Sequence, residues 1–489
     1  MTASPARLAA ELAAALAPRG IAGASAGIWQ DGRVTTWSAG QASRQTGQPV
    51  TPATVFHLAS VTKTLTAMVV LQLVAEGRVS LGQPAASVLP GLAAADAAHD
   101  GPVTIGSLLS HTSGIDADFF RDTGPGDDAL KLFAGRAAGI SRPFGPGQIF
   151  SYGNAGYSLL GRITEVVTGS GWDRQLRQRI LGPLGMSRTT TSPERALCWP
   201  FAVGHESRAG GRLRVATGWP VPRSMGPAGV LCATAGDLLR FGAAVAVAGA
   251  ADRPPCRGRP RRLIPADLAA LMRQPAARPV YSAPADSWGL GWGLEQWGDA
   301  AVLGHDGGAR GYESFLRVLP DHAAAVVLLV NGGGDAAPLV REVFGPLLSE
   351  LCGVTVPPAW APPPGGPAPA PGTAGSGGAR PAGVVLREDA PPGAAAASEV
   401  TGSYACGTWR LRISGRDGAW HGELRARGLA AGEIGRAPVS LRLRPAGPGC
   451  FAASADGSPA DTWPVHAVRL PGGTRLVHMW SRAAPAVQE

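Results

Sequence analysis

At 489 residues the chain is long enough for two or three domains and a large core. Hydrophobic residues make up 45% of it, yet no apolar run approaches the roughly 18 residues of a membrane span, which argues against membrane insertion. The net charge of +9 rests on scattered arginines without interleaved aromatics or a nucleic-acid motif, which argues against nucleic acid as a partner.

Taken in chain order, "PARLAAELAAAL" reads as an amphipathic helix rather than a secretory signal, because Arg7 and Glu11 interrupt its apolar residues. With six cysteines far apart and in no metal-binding spacing, the expectation is a reduced, cytoplasmic protein with no metal site and no cofactor. "AGASAGIWQDGRVTTWSAG" (22–40) predicts two strands around Asp31-Gly32. The segment 60–76 is apolar on most sides and predicts a buried central helix stopped by Gly77. Helical and loop segments follow to about 245, and the run "RPPCRGRPRR" (253–262) reads as a solvated loop. Strand character returns at 287–297 and 313–333, with Pro320-Asp321 as a hairpin turn, and 337–353 predicts a closing helix. Pro, Ala and Gly dominate 357–398, a composition that cannot bury a core and predicts a linker. Short strand-like runs separated by turns then fill 399–486, predicting a small antiparallel β domain after a main domain at 1–356.

Of the 44 basic residues only Lys63 and Lys131 are lysine. Arginine stays protonated at any working pH, whereas a buried lysine can shed its proton, so a lysine retained in an arginine-writing chain suggests a task for a neutral amine. In "HLASVTKT" (57–64), Ser60 and Lys63 are three apart at a helix start, one turn apart on one face. The positive end of the helix helps keep the amine neutral, and a neutral amine can take the Ser60 proton to make a nucleophile. Tyr152 and Asn154 in "FSYGNAGY" offer a phenol to share proton transfer and a carboxamide to orient Lys63 and an acyl group. "GHDGGARGY" brings His305, Asp306, Gly307 and Gly308 ahead of a strand pair, where small residues let backbone approach a substrate and the N–H groups of Gly308 and Ser60 can form an oxyanion hole. His111 in "SHTSG" reads as structural rather than catalytic, and His57 as packing.

These ordered motifs resemble the serine β-lactamase and penicillin-binding-protein superfamily, most closely its class C β-lactamase-like branch, over about residues 20–355. "LLSHTSGI", "GPAGVLCATAGDLLRF" and "GWGLEQW" fit the same branch, and the C-terminal region resembles the lipocalin-like β domain that often follows it. The resemblance implies an α/β (α+β) fold, with a central antiparallel sheet, a helical subdomain and a small C-terminal β-barrel. It implies a serine hydrolase or acyltransferase working through a covalent acyl-enzyme, with Ser60, Lys63, Tyr152, Asn154 and His305 catalytic, Ser60 and Gly308 at the oxyanion, and Asp306 and Gly307 at the substrate. His305 stands where true β-lactamases carry a lysine that holds the drug's carboxylate, a departure that argues against β-lactam hydrolysis. The reading favoured within the branch is a stand-alone thioesterase that releases and cyclises a nonribosomal peptide. A small-ester esterase or transacylase, a D-aminopeptidase and a non-catalytic binder are the alternatives. The substrate is then a small-molecule or peptidyl ester or thioester, and an acidic carrier protein is the partner that a basic chain would attract.

Overall fold

The computed structural model describes residues 4–93, 101–117, 119–207, 212–248, 262–277, 285–332, 336–357, 400–406, 409–416, 419–426, 437–447, 450–455, 462–470, 473–479 and 482–487. The stretch expected as a linker, 357–398, lies outside the described residues except for Pro357, as does the basic run 253–262 except for Arg262.

Helix α1 (Pro5–Leu16) is capped by Ser4 and buries Leu8, Leu12 and Leu16, a stripe spaced at four residues. Strands β1 (Gly23–Gln30) and β2 (Arg33–Gly40) form the expected hairpin, and its tight turn uses Asp31 and Gly32 at φ 47° and 86°. Helix α2 (Thr62–Ala75) is the buried central helix, followed by Gly77 at φ 68°. Helices α3 (Ala155–Thr168) and α4 (Ala235–Ala248) lie in the helical part of the chain. Strands β3 (Ser287–Trp288), β4 (Gly293–Trp297), β5 (Ala300–Ala309), β6 (Tyr312–Leu319) and β7 (Ala324–Val330) precede helix α5 (Ala337–Cys352).

These strands make one seven-stranded antiparallel sheet in the order β2-β1-β7-β6-β5-β4-β3. The interior strand β7, "AAVVLLV", is buried at every residue, because both faces of the sheet are covered. One face packs on α1 and α5 through Ile28, Trp37, Phe315 and Phe344. The other packs on α2, α4 and the rest of the helical region through Leu65, Met68, Leu238 and Leu316. Pairing of β4 with β5 ends at Gly304, so 305–309 form an open edge facing the helical region.

Eight further strands, β8 (Gly402–Ala405), β9 (Trp409–Arg416), β10 (Ala419–Ala426), β11 (Val439–Gly447), β12 (Cys450–Ala455), β13 (Thr462–Arg469), β14 (Arg475–Met479) and β15 (Arg482–Val487), close into an antiparallel barrel. Closure pairs β8 with β15 and removes the free edges that a small sheet would expose. The barrel has its own core around Trp409, Leu411, Phe451 and Met479. It also docks on the main domain: Val468, Leu470, Leu476 and Ala483 pack with Phe144 and Ile149 in a separate buried cluster. Each large apolar side chain so buried contributes about 1.5–3 kcal/mol. Two polar contacts fix the register: His478 Nε2 donates to Phe150 O at 3.0 Å, and Ala483 N–H donates to Ser151 Oγ at 3.2 Å.

Candidate active site

Ser60 sits in a 3₁₀ turn, Ala59–Val61, that runs directly into α2. The turn requires Ala59 at φ 44°, a left-handed conformation that costs a residue with a Cβ about 1–2 kcal/mol. Hydrogen bonds hold it there: Ala59 N–H donates to His57 Nδ1 at 3.1 Å, and Thr62 Oγ1 donates to Ala59 O at 2.7 Å. Burial pushes His57 down to about 3, so it remains a neutral acceptor for that N–H. His57 therefore supports the strained residue just before Ser60, a more specific role than packing.

One turn on, Lys63 has no exposed surface, while Lys131 is exposed. Lys63 Nζ lies 3.0 Å from Ser60 Oγ, 2.6 Å from Asn154 Oδ1 and 2.8 Å from Ala228 O. The last two oxygens are pure acceptors. As a neutral amine Lys63 would donate both protons to them and turn its lone pair to the Ser60 hydroxyl; as an ammonium it would donate to all three. The same cage thus holds both protonation states, as a group that accepts and returns a proton requires.

Asn154 and Tyr152 come from the segment leading into α3. The Tyr152 ring centroid is 4.8 Å from Lys63 Nζ. Its loop is held from below by His111, whose ring packs 4.4 Å from that of Tyr152 at a tilt of 39° and whose Nδ1 accepts from Gly153 N–H at 3.1 Å. From the other side the barrel grips Phe150 and Ser151. Tyr157 is the other phenol near Lys63, but it is buried, donates to Leu109 O at 3.0 Å and titrates well above the usual range because of that burial.

The open edge of β5 forms the opposite wall. Gly307 is where the strand crosses the nucleophile turn: a Cβ there would lie 2.3 Å from Leu58 O and 3.0 Å from Ser60 N. Ser314 Oγ ties β6 to the same turn by donating to Leu58 O at 2.6 Å. Gly308 lines the cavity, and a Cβ on it would meet nothing within 4 Å. His305 is buried beside Tyr152 and Trp288, and burial, reinforced by the charge of Lys63, pushes it down to about 3. Its Nδ1 lies 2.7 Å from Asp306 O, which selects the tautomer with Nδ1 protonated and leaves buried Nε2 an acceptor without a partner among the described residues. His305 is therefore neutral and supplies no charge to hold a carboxylate. Asp306 forms a two-pronged ion pair with Arg317, and Arg317 Nε reaches Glu295 Oε1 at 2.8 Å. Burial raises Glu295 to about 7 despite that partner.

A cavity of about 490 Å³ joins these groups, lined by Ser60, Tyr152, Asn154, His305, Asp306 and Gly308 among others. Five of the residues singled out as catalytic, Ser60, Lys63, Tyr152, Asn154 and His305, thus converge on one site from three separate segments. Sequence reasoning missed the Ala228 carbonyl, the Glu295–Arg317 pair and, above all, Arg482. The barrel residue Arg482 reaches into the cavity from the start of β15, its guanidinium 5.1 Å from the Tyr152 ring centroid. No motif distinguishes it from the other 41 arginines. Among the described residues no group of three or more His, Cys, Asp or Glu side chains could hold a metal ion, and no helix is long and apolar enough to cross a membrane.

Comparison with known proteins agrees with this geometry. Residues 8–343 match the family described as Beta-lactamase. Penicillin-binding protein 4 of Amycolatopsis lactamdurans is 41% identical over 346 residues, 70% of this chain and 89% of that protein. Esterase EstB of Burkholderia gladioli is 30% identical over 311 residues, 59% of this chain and 78% of that protein. Among solved structures, SurE covers 99% of both chains at 28% identity with a TM-score of 0.72, and SurE with D-Leu does so at 27% with 0.70. The D-amino acid amidase of Ochrobactrum anthropi SV3, at 24% identity and a TM-score of 0.58 over 70% of this chain and 98% of its own, shares the fold. With the family spanning most of its length and a Ser–Lys pair at hydrogen-bond distance in the family's site, the chain belongs to the Beta-lactamase family of serine hydrolases, which act through a covalent acyl-enzyme.

Proposed function

We propose that the protein is a stand-alone thioesterase that takes a peptidyl acyl group onto Ser60 and passes it to an amine of the same peptide, releasing a ring. Ser60 Oγ attacks the thioester carbonyl as Lys63 takes its proton, the N–H groups of Ser60 and Gly308 hold the oxyanion, and Tyr152 relays a proton to the departing thiol. The amine then attacks the acyl-enzyme and gives up a proton to Lys63, which passes it to the Ser60 oxygen as that oxygen leaves, so the amide forms and Ser60 and Lys63 return to their starting states. The observation that carries this reading is the docked barrel. It grips the segment bearing Tyr152 and delivers Arg482 to the cavity, so a second domain helps enclose the acyl group. Enclosure matters because an amine competes with water at about 55 M and succeeds only when it is held or when water is kept out. SurE supports the choice: its likeness covers 99% of this chain and it has been solved with D-Leu, which favours a D-residue at the reacting carbonyl. An acidic carrier protein would present the thioester to this basic chain.

A plain ester hydrolase is the second reading, favoured by the identity to esterase EstB. Intact-mass trapping decides between them. The enzyme is mixed with peptidyl thioesters ending in D- or L-residues, with small esters and with D-aminoacyl amides. Under the proposed function the D-ended peptidyl thioester gives the Ser60 adduct and a cyclic product. An adduct from small esters alone, or a linear acid as sole product, would assign the protein to the esterases.

A further inference from the structure

A second and larger cavity, about 1,230 Å³, lies beside the Ser60 cavity. The two share the wall Phe120, Trp219, Pro220, Val221 and Pro222, and so adjoin along that segment. From Ser60 the charged side of the site, with Glu295, Asp306, Arg317 and Arg482, lies in the first cavity alone. The shared wall leads the other way, between the later turns of α3, the turn at 169–174 and the segment at 191–194.

The chemistry of this second cavity suits a peptide. Its walls include the buried apolar side chains Leu130, Trp172 and Val230, and Val166 on α3, which is 44% exposed. Five carboxylates and three guanidiniums also line it, a negative balance on a chain of net charge +9. An acyl chain with apolar side chains, backbone carbonyls and a free amino end matches that lining; a fatty acyl chain would leave the polar groups unanswered. The volume also exceeds the roughly 300–1,000 Å³ of a small-ligand pocket.

We infer that this second cavity is the subsite for the donor's acyl chain, a peptidyl group several residues long whose activated carbonyl sits on Ser60. The inference rests on the acyl-transfer reading above and adds to it where the donor's acyl chain lies and how long it is.

The test uses the full-length enzyme and N-acetylcysteamine thioesters that share one C-terminal residue: a single aminoacyl group, a hexapeptidyl group and a fatty acyl group of matching length. Thiol release gives kcat/KM for each. The hexapeptide is expected to exceed the single residue by about tenfold or more, a change that one or two further buried apolar side chains can supply, and the fatty chain is not. Val166→Trp and Thr191→Trp, on two walls of this cavity away from the shared segment, should each erase most of the hexapeptide-to-aminoacyl ratio. An equal gain for the fatty chain, no length dependence, or a ratio that survives both substitutions would overturn the inference. Should no thioester give thiol release, the acyl-transfer reading falls and the cavity is judged by binding. Calorimetry on Ser60→Ala with the free hexapeptide acid should then show affinity that Val166→Trp weakens about tenfold. Absent or unaltered binding would count against the subsite.

Discussion

Lys63 occupies a cage whose oxygens suit an amine with two donors and a lone pair as well as an ammonium with three donors. A guanidinium cannot work there. It is planar and larger, and it does not give up its proton in water. Lys63→Arg should therefore damage turnover nearly as much as Lys63→Ala, by about 10²–10⁴-fold in the acylation rate, the usual scale for losing a general base. Burst kinetics with a chromogenic ester measure this directly, and near-normal acylation in Lys63→Arg would reassign the base to Tyr152. His305 is a different case. Being buried and pushed down to about 3, it stays neutral through the working range, so no limb of the pH–rate profile should belong to it. The residues legible in the sequence, Ser60, Lys63, Tyr152, Asn154 and His305, are those whose chemistry is written in short local motifs. Ala228 O was not legible because a backbone carbonyl has no signature in residue identity, and its contact with Lys63 spans 165 positions. The neutrality of His305 was hidden for a related reason: burial is a property of the folded surroundings.

At the level of elements, the site depends on how closely β5 crosses the nucleophile turn. Gly307 permits the crossing, since a Cβ would press on Leu58 O and Ser60 N, both backbone atoms with little room to yield. Gly307→Ala should push strand and turn apart, costing about 1–3 kcal/mol in stability, as other overpacked sites do. Acylation should fall as well, because the same displacement moves Ser60 relative to Lys63 and Gly308. Denaturant melts and acylation rates on the same preparation check both effects. Unchanged rates with lowered stability would mean that the crossing serves packing alone. The elements themselves were largely readable. The strands at 23–40 follow from turn chemistry at Asp31-Gly32, and α2 follows from an apolar run ended by Gly77. What local pattern cannot supply is order in the sheet, where β1 lies beside β7 although some 300 residues separate them. Nor could it show that the β-strands after 399 close fully into a barrel, since closure is a matter of pairing β8 with β15.

At the scale of the whole molecule, burial and docking have separate consequences. His57, His305 and His478 are each pushed from 6.5 down to about 3 by burial, and His466 to about 4. In the unfolded chain these rings titrate near the ordinary value, so between there and about 3 the unfolded state binds more protons and stability must rise with pH. Their stabilising contribution is complete above about pH 6.5 and is lost as pH falls toward the folded values. The melting temperature should decline steadily from neutral pH to about pH 4, and a flat profile in calorimetry would show that other groups compensate. Docking of the barrel acts on chemistry instead. The barrel's apolar contact and its two hydrogen bonds fall on 144–151, immediately before Tyr152, so removing the whole barrel would expose Phe144 and Ile149 and loosen a proposed catalytic side chain. Arg482→Ala is the sharper probe, because the barrel core and its apolar contact remain. If Arg482 helps to hold the acceptor or close the cavity, the variant should still form the Ser60 adduct at a rate within about tenfold of the parent, while the ratio of aminolysis or cyclisation to hydrolysis drops by a similar factor. That ratio is insensitive to the amount of folded enzyme, since both products come from one intermediate. Parent and variant compared on one D-ended peptidyl thioester, with products separated by chromatography, give the answer. A ratio that does not move would detach Arg482 from the fate of the acyl group and leave the barrel the mechanical task of bracing Tyr152.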